Sequence, residues 1–163
     1  MIKRFFIVLG MLLAQAVSVN AQNVVIGFQG MASIESAAAA CQGRFEIGKP
    51  TTAVFAPANV GQNGNVTTFA FSTDPDGRPK VPMMSFMIAG PAAANAAYDA
   101  VQIDGRGGFS GYSGIIAAAF IKPATITPST KLVDVVLVIR RFADIPNCTV
   151  KVRGALVYSG DPQ

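Results

Sequence analysis

Histidine is absent from the whole chain of 163 residues. Catalytic triads and dyads that pass a proton through imidazole are therefore excluded, as are histidine-based zinc sites. Tryptophan is also absent, which weakens, without removing, an aromatic platform for stacking sugars. Cysteine occurs twice, at Cys41 and Cys148, and glutamate twice, at Glu35 and Glu46. Two cysteines without histidine make a poor metal site, so no metal or other cofactor is expected. Of the seven aspartates, Asp74, Asp76, Asp104, Asp144 and Asp161 stand in turn-forming contexts, where the carboxylate usually bonds its own backbone. A carboxylate-type hydrolase is the alternative that remains open to such a chain, provided two carboxylates face each other across a cleft.

The richest signal lies at the start. Lys3 and Arg4 precede an apolar run from Phe5 to about Leu13, and Val19-Asn20-Ala21 offers small residues where a signal peptidase reads. This pattern predicts a signal peptide over residues 1–21 with cleavage before Gln22, leaving residues 22–163 as a single domain. The expected localisation is export, to the periplasm or the extracellular medium. Leu132 to Ile139 is the most apolar later segment. It contains Asp134 and is followed by Arg140-Arg141, so no integral membrane helix is expected once the signal is removed. Losing Lys3 and Arg4 takes two from the formal net charge of +4. No basic run exceeds the Arg140-Arg141 pair, so no nucleic-acid partner is expected. In an exported chain two cysteines read as a disulfide, here Cys41 to Cys148, with two free thiols as the alternative.

Strand signals dominate the rest. Asn23 to Phe28 is short and apolar. Thr51 to Ala56 and Val66 to Ser72 are rich in Thr, Val and Phe, and the Gly/Asn-rich segment between them predicts a hairpin turning at Asn63-Gly64 with positive φ. Thr67, Phe69 and Phe71 share a face, and the two phenylalanines are expected to point inward. Ser72 to Pro82 reads as a loop. Met83 to Ala89 is apolar on both faces, as a central strand would be. Phe109 to Ile121 and Leu132 to Phe142 are further strands. From Cys148 to Arg153 apolar and polar residues alternate with period two, which places Cys148, Val150 and Val152 on a buried face. Ser33 to Cys41 is the best helix candidate, capped by Ser33 and stopped by Gly43; Ala92 to Ala100 is a second. Together these readings predict an all-β, single-domain antiparallel β-sandwich with one or two short helices and one disulfide.

The glycine-rich stretch Gly105 to Gly114 matches neither a dinucleotide fingerprint, since Ser110 stands where a third glycine is needed, nor a nucleophile elbow, since Ile115 stands where glycine must follow Ser113. It reads as a flexible loop or bulged strand edge. The sharper reading is a ligand-contacting loop that presents Arg106, Phe109 and Tyr112. Asp74-x-Asp76-Gly77 lacks the remaining ligands of a calcium loop. Arg140 and Arg141, if both in a strand, point to opposite faces and cannot grip one anion together unless the strand bulges. The expected function is that of an exported, non-enzymatic β-domain with a binding or structural role, its partner a protein or glycan at the cell envelope. A small outer-membrane β-barrel is a further alternative; the missing tryptophan, the three tyrosines and the polar terminus count against it.

Overall fold

A computed structural model describes residues 26–72, 83–103 and 108–160, with the backbone alone for Phe109. The expected signal segment and the 73–82 loop lie outside the described residues. Eight strands run in sequence: β1 Gly27–Ala37, β2 Thr51–Ala56, β3 Val66–Ser72, β4 Met83–Ala89, β5 Ala97–Ile103, β6 Phe109–Lys122, β7 Leu132–Arg140 and β8 Thr149–Gly160. Each pairs antiparallel with the next, and β8 returns to β1, with Ala32 opposite Gly154. The sheet closes into an eight-stranded barrel. The expected sandwich is thus corrected in its architecture, while the all-β class, the antiparallel pairing and the disulfide stand.

Alternation builds the interior. Val133, Val135, Leu137 and Ile139 of β7 are buried, as are Val150, Val152 and Leu156 of β8. Short strands with one apolar face pointing inward are what barrel closure requires. From β2 to β5, Phe55, Phe69, Phe71, Phe86 and Tyr98 turn inward and are buried. The hairpin of β2 and β3 pairs Phe55 with Phe69 and Ala53 with Phe71, which places both β3 phenylalanines inside as expected. Eight strands leave a bore that side chains fill, and here rings fill much of it.

One end of the bore is plugged. After β7 the chain turns inward through a 3₁₀ turn, Phe142–Asp144, and buries Phe142. Its ring stacks on Phe71 at 6.2 Å and on Phe86 at 5.9 Å, and Phe45 meets it edge-on at 4.8 Å. The disulfide Cys41–Cys148, with Cα atoms 5.3 Å apart, ties the β1–β2 connection to the entry of β8 beside this plug.

Both helix expectations fail. Ser33 to Ala37 continues β1, pairing with β8 from Arg153 to Val150, and residues 38–43 form turns. The disulfide therefore pins a loop rather than a helix. Ala92 to Ala96 is a turn segment, and β5 begins at Ala97. The β2–β3 turn also differs in detail. Positive φ falls on Asn59 and Gly61, not on Asn63-Gly64. Asn63 instead ties the opposite end of the barrel together: its amide nitrogen donates to the carbonyls of Ile26 at 2.8 Å and Pro57 at 2.6 Å, and its amide oxygen accepts from the N–H of Ile26 at 2.9 Å.

Candidate functional site

A cleft of about 630 Å³ lies on the outer wall and not in the bore. Its floor is Met87 and Ala89 of β4, Ala97 of β5 and Ile115 of β6; Asp99 and Ser113 stand within it, and Arg140 and Arg141 form one rim. The floor exists because β4 is apolar on both faces. Met84, Phe86 and Ile88 fill the bore, so the alternate residues must face out, and Met87 and Ile115 remain 39% and 45% exposed.

The two arginines meet because the strand ends between them. Arg140 is the last residue of β7, and Arg141 takes the left-handed conformation, φ 54° and ψ 40°. Strand alternation no longer separates them, and both line the groove. This corrects the expectation of opposite faces. Arg141 pairs with Asp144. Arg140 pairs with no carboxylate among the described residues, so the rim carries an uncompensated positive charge.

The groove sits where the wall is split. β6 pairs with β5 along its first half, from Phe109 to Ile115. Its pairing with β7 begins only at Ile116, opposite Ile139. The N–H of Ile116 bonds the carbonyl of Ala96, and its carbonyl accepts from the N–H of Asn95. Alternation along an antiparallel strand then directs the backbone groups of Gly114, Tyr112 and Ser110 toward β5. Those of Ile115, Ser113 and Gly111 face away from β5, toward the split. At Gly111 and Ser113 no strand pairs with that edge among the described residues, and both are exposed, while the turn Phe142–Asp144 packs against β6.

A tyrosine braces the split from inside. The Tyr98 ring lies against Gly114: a Cβ built there would stand 2.6 Å from the hydroxyl oxygen. The hydroxyl donates to the carbonyl of Arg140. The only residue type that lets the ring cross β6 this closely is glycine. Burial pushes the Tyr98 hydroxyl up to about 12, the nearby Arg141 charge opposing and Asp144 adding to the shift. Tyr98 therefore stays a donor at ordinary pH.

The residues singled out from the sequence divide between the groove and elsewhere. Tyr112 turns into the barrel, where its hydroxyl contacts the Met84 sulfur at 3.9 Å; burial pushes its pKa up too, the Ala143 backbone opposing. Arg106 lies outside the described residues, and Phe109 opens β6. Cys41 and Cys148 are bonded. The groove residues Met87, Asp99, Ser113 and Ile115 were missed; the two-faced apolarity of Met83 to Ala89 was the signal that pointed to them.

The described carboxylates are dispersed. Glu35 on the outer wall bonds Lys151 at 2.7 Å and also Arg153. Hydrogen bonds from those two cations hold its carboxyl below the usual range. Glu46 pairs with Lys49 at 2.6 Å, and Asp134 lines a separate outer cleft with Phe120, Lys122, Val136, Lys151 and Arg153. Asp99 is the single described carboxylate lining this groove, and no cluster of three or more His, Cys, Asp or Glu side chains occurs among the described residues. Compared with protein-family models, with curated proteins and with solved structures, the chain matches none.

Proposed function

We propose that this is an exported, non-enzymatic binding domain, and that the groove over β4, β5 and β6 is its binding face. The observation that carries the reading is the joining of an apolar floor to Arg140, which pairs with no carboxylate among the described residues, at a split in the barrel wall. Ligand sites combine apolar lining with a few placed polar groups in this way. Rings pack the bore and the 3₁₀ turn closes one end, and the cleft at the other mouth, beside Phe55, Thr67 and Ile121, is smaller, about 360 Å³. The disulfide supports an oxidising location.

Polarity supports a water-facing barrel over a membrane-spanning one. Eight strands would suit the smallest outer-membrane barrels, but those turn apolar residues outward around a polar interior. Here the interior is apolar, and Glu35, Asp99, Lys122, Asp134, Lys151 and Arg153 point out from strands β1, β5, β6, β7 and β8.

The test is a titration of the isotopically labelled chain with octanoate, a small carboxylate with an apolar tail, followed by backbone amide NMR. Shifts gathered at 87–89, 97–99 and 113–115, and lost in Arg140→Glu, support the reading. Shifts confined to other surfaces, or none at millimolar octanoate, remove the groove as the binding face.

A further inference from the structure

We infer that the groove takes an extended, acidic peptide segment of a partner protein, which adds as a strand to the open edge of β6. The inference rests on the binding-face reading above and names its ligand. Two independent features require this chemistry.

The first is the backbone. Gly111 and Ser113 present N–H and C=O groups away from β5 along a split where β7 has ended. Unpaired strand edges recruit another extended chain, and the ladder bonds so formed give affinity without demanding one sequence. Exposed edges are usually blunted by lysine or proline. From Phe109 to Ile115 this edge carries neither, nor any charge. Two glycines in that stretch also leave the backbone uncovered.

The second is charge. Past Arg140 the chain turns into the bore, where Phe142–Asp144 packs against β6, and the outer side of the line that β7 would have continued borders the cleft beside Ser113, Gly114 and Ile115. A peptide laid on that line runs antiparallel to β6 and begins next to Arg140. Its first residues meet a guanidinium with no carboxylate partner among the described residues, which selects aspartate or glutamate there. Further along it passes Ser113 and Gly111, with its alternate side chains facing outward. Asp99 stands on the far side of β6, on β5, so it does not compete for the same end of the peptide.

The direct test uses the disulfide-bonded chain and three N-acetylated heptapeptides. One has two aspartates followed by five alternating threonines and valines; one replaces the aspartates with lysines; one is the acidic peptide N-methylated at the positions facing β6. The acidic peptide is expected to bind, to protect the Gly111 and Ser113 amides from hydrogen exchange, and to bind at least tenfold more tightly than the lysine peptide. Arg140→Glu should reverse that order. Ser113→Pro deletes an edge donor while leaving the β5 ladder intact, and should weaken binding at least tenfold. The N-methylated peptide makes the same point without altering the protein, should the proline variant fold poorly.

Equal binding of the methylated peptide overturns strand addition. Octanoate shifts at the groove without any peptide binding overturn the inference and leave the binding face standing. Failure of octanoate and peptides alike removes both. A concentration-dependent dimer that protects the same amides and excludes peptide would make a second copy the occupant, which also overturns the inference.

Discussion

A single missing Cβ decides how the barrel wall is braced. The Tyr98 ring crosses β6 at Gly114 to reach the Arg140 carbonyl, and any side chain at 114 meets it at well under contact distance. Gly114→Ala must push the ring aside, so it sacrifices the hydrogen bond and strains the packing. Overpacking of this kind costs about 1–3 kcal/mol, measured as a lower midpoint in urea unfolding. The double variant Gly114→Ala, Tyr98→Phe should cost less than the sum of its parts, because the bond is already lost in the first change. The same hydroxyl gives a pH dependence. Its pKa is raised in the fold from an ordinary value of 10 to about 12, so the folded state holds its proton more tightly. The stabilisation is complete below pH 10 and is lost as pH rises through 12. Tyr98→Phe should lose stability at neutral pH and show a shallower fall between pH 10 and 12. An alkaline slope unchanged by the substitution would assign the fall to other groups.

Among the elements, the connection between β1 and β2 is held by little regular structure and by one covalent bond. Cys41–Cys148 spans 107 residues of sequence, and a loop of that size is worth about 4–5 kcal/mol in the chain-entropy model, whose mechanism is disputed. Replacing both cysteines with alanine should lower stability by about 2–4 kcal/mol. Because Phe45 meets the Phe142 plug edge-on from the same connection, the loss should be sensed at that end first, read as faster hydrogen exchange at 141–150 than at 52–56. Strand identity here was legible where one face is buried: β8 alternates cleanly, and the β2–β3 hairpin keeps its phenylalanines inside. It was illegible at Ser33 to Cys41. Four alanines favour a helix locally, yet ladder bonds to Val150, Lys151 and Arg153 across β8 outweigh a preference of tenths of a kcal/mol per residue. Arg140 and Arg141 were misjudged for a related reason. The strand ends at Arg140, so its alternation does not reach Arg141, and no residue there marks the left-handed turn in the sequence.

At the scale of the molecule, the sequence left sandwich and barrel undivided. Both are built from short alternating strands joined by turns, and they differ in whether the first strand pairs with the last. That pairing, β1 with β8, is the longest-range contact in the chain, and no local pattern announces it. The candidate groove was hidden for the same reason. It arises from β6 outrunning the end of β7, which closure alone defines. Closure also sharpens the membrane question, because a barrel has only an inside and an outside. Leu132, Val157, Val54 and Met31 are exposed on neighbouring strands around Gln29, so the outer wall is not uniformly polar. Against this, Glu35 with its two cations, Asp134 and Asp99 occupy the same wall. A basic residue on a lipid face costs about 2–4 kcal/mol at the bilayer midplane. Lys122, Lys151 and Arg153 would carry that cost, while the nine large apolar side chains exposed on the strands are spread over seven of them and would repay about 25 cal/mol per Å² of surface now exposed to water. The chain should therefore refold from urea in detergent-free buffer, with the disulfide formed and with near-ultraviolet circular dichroism from its packed aromatic rings. Refolding that proceeds only with detergent micelles or lipid vesicles would place the outer wall in a bilayer, and the groove with it.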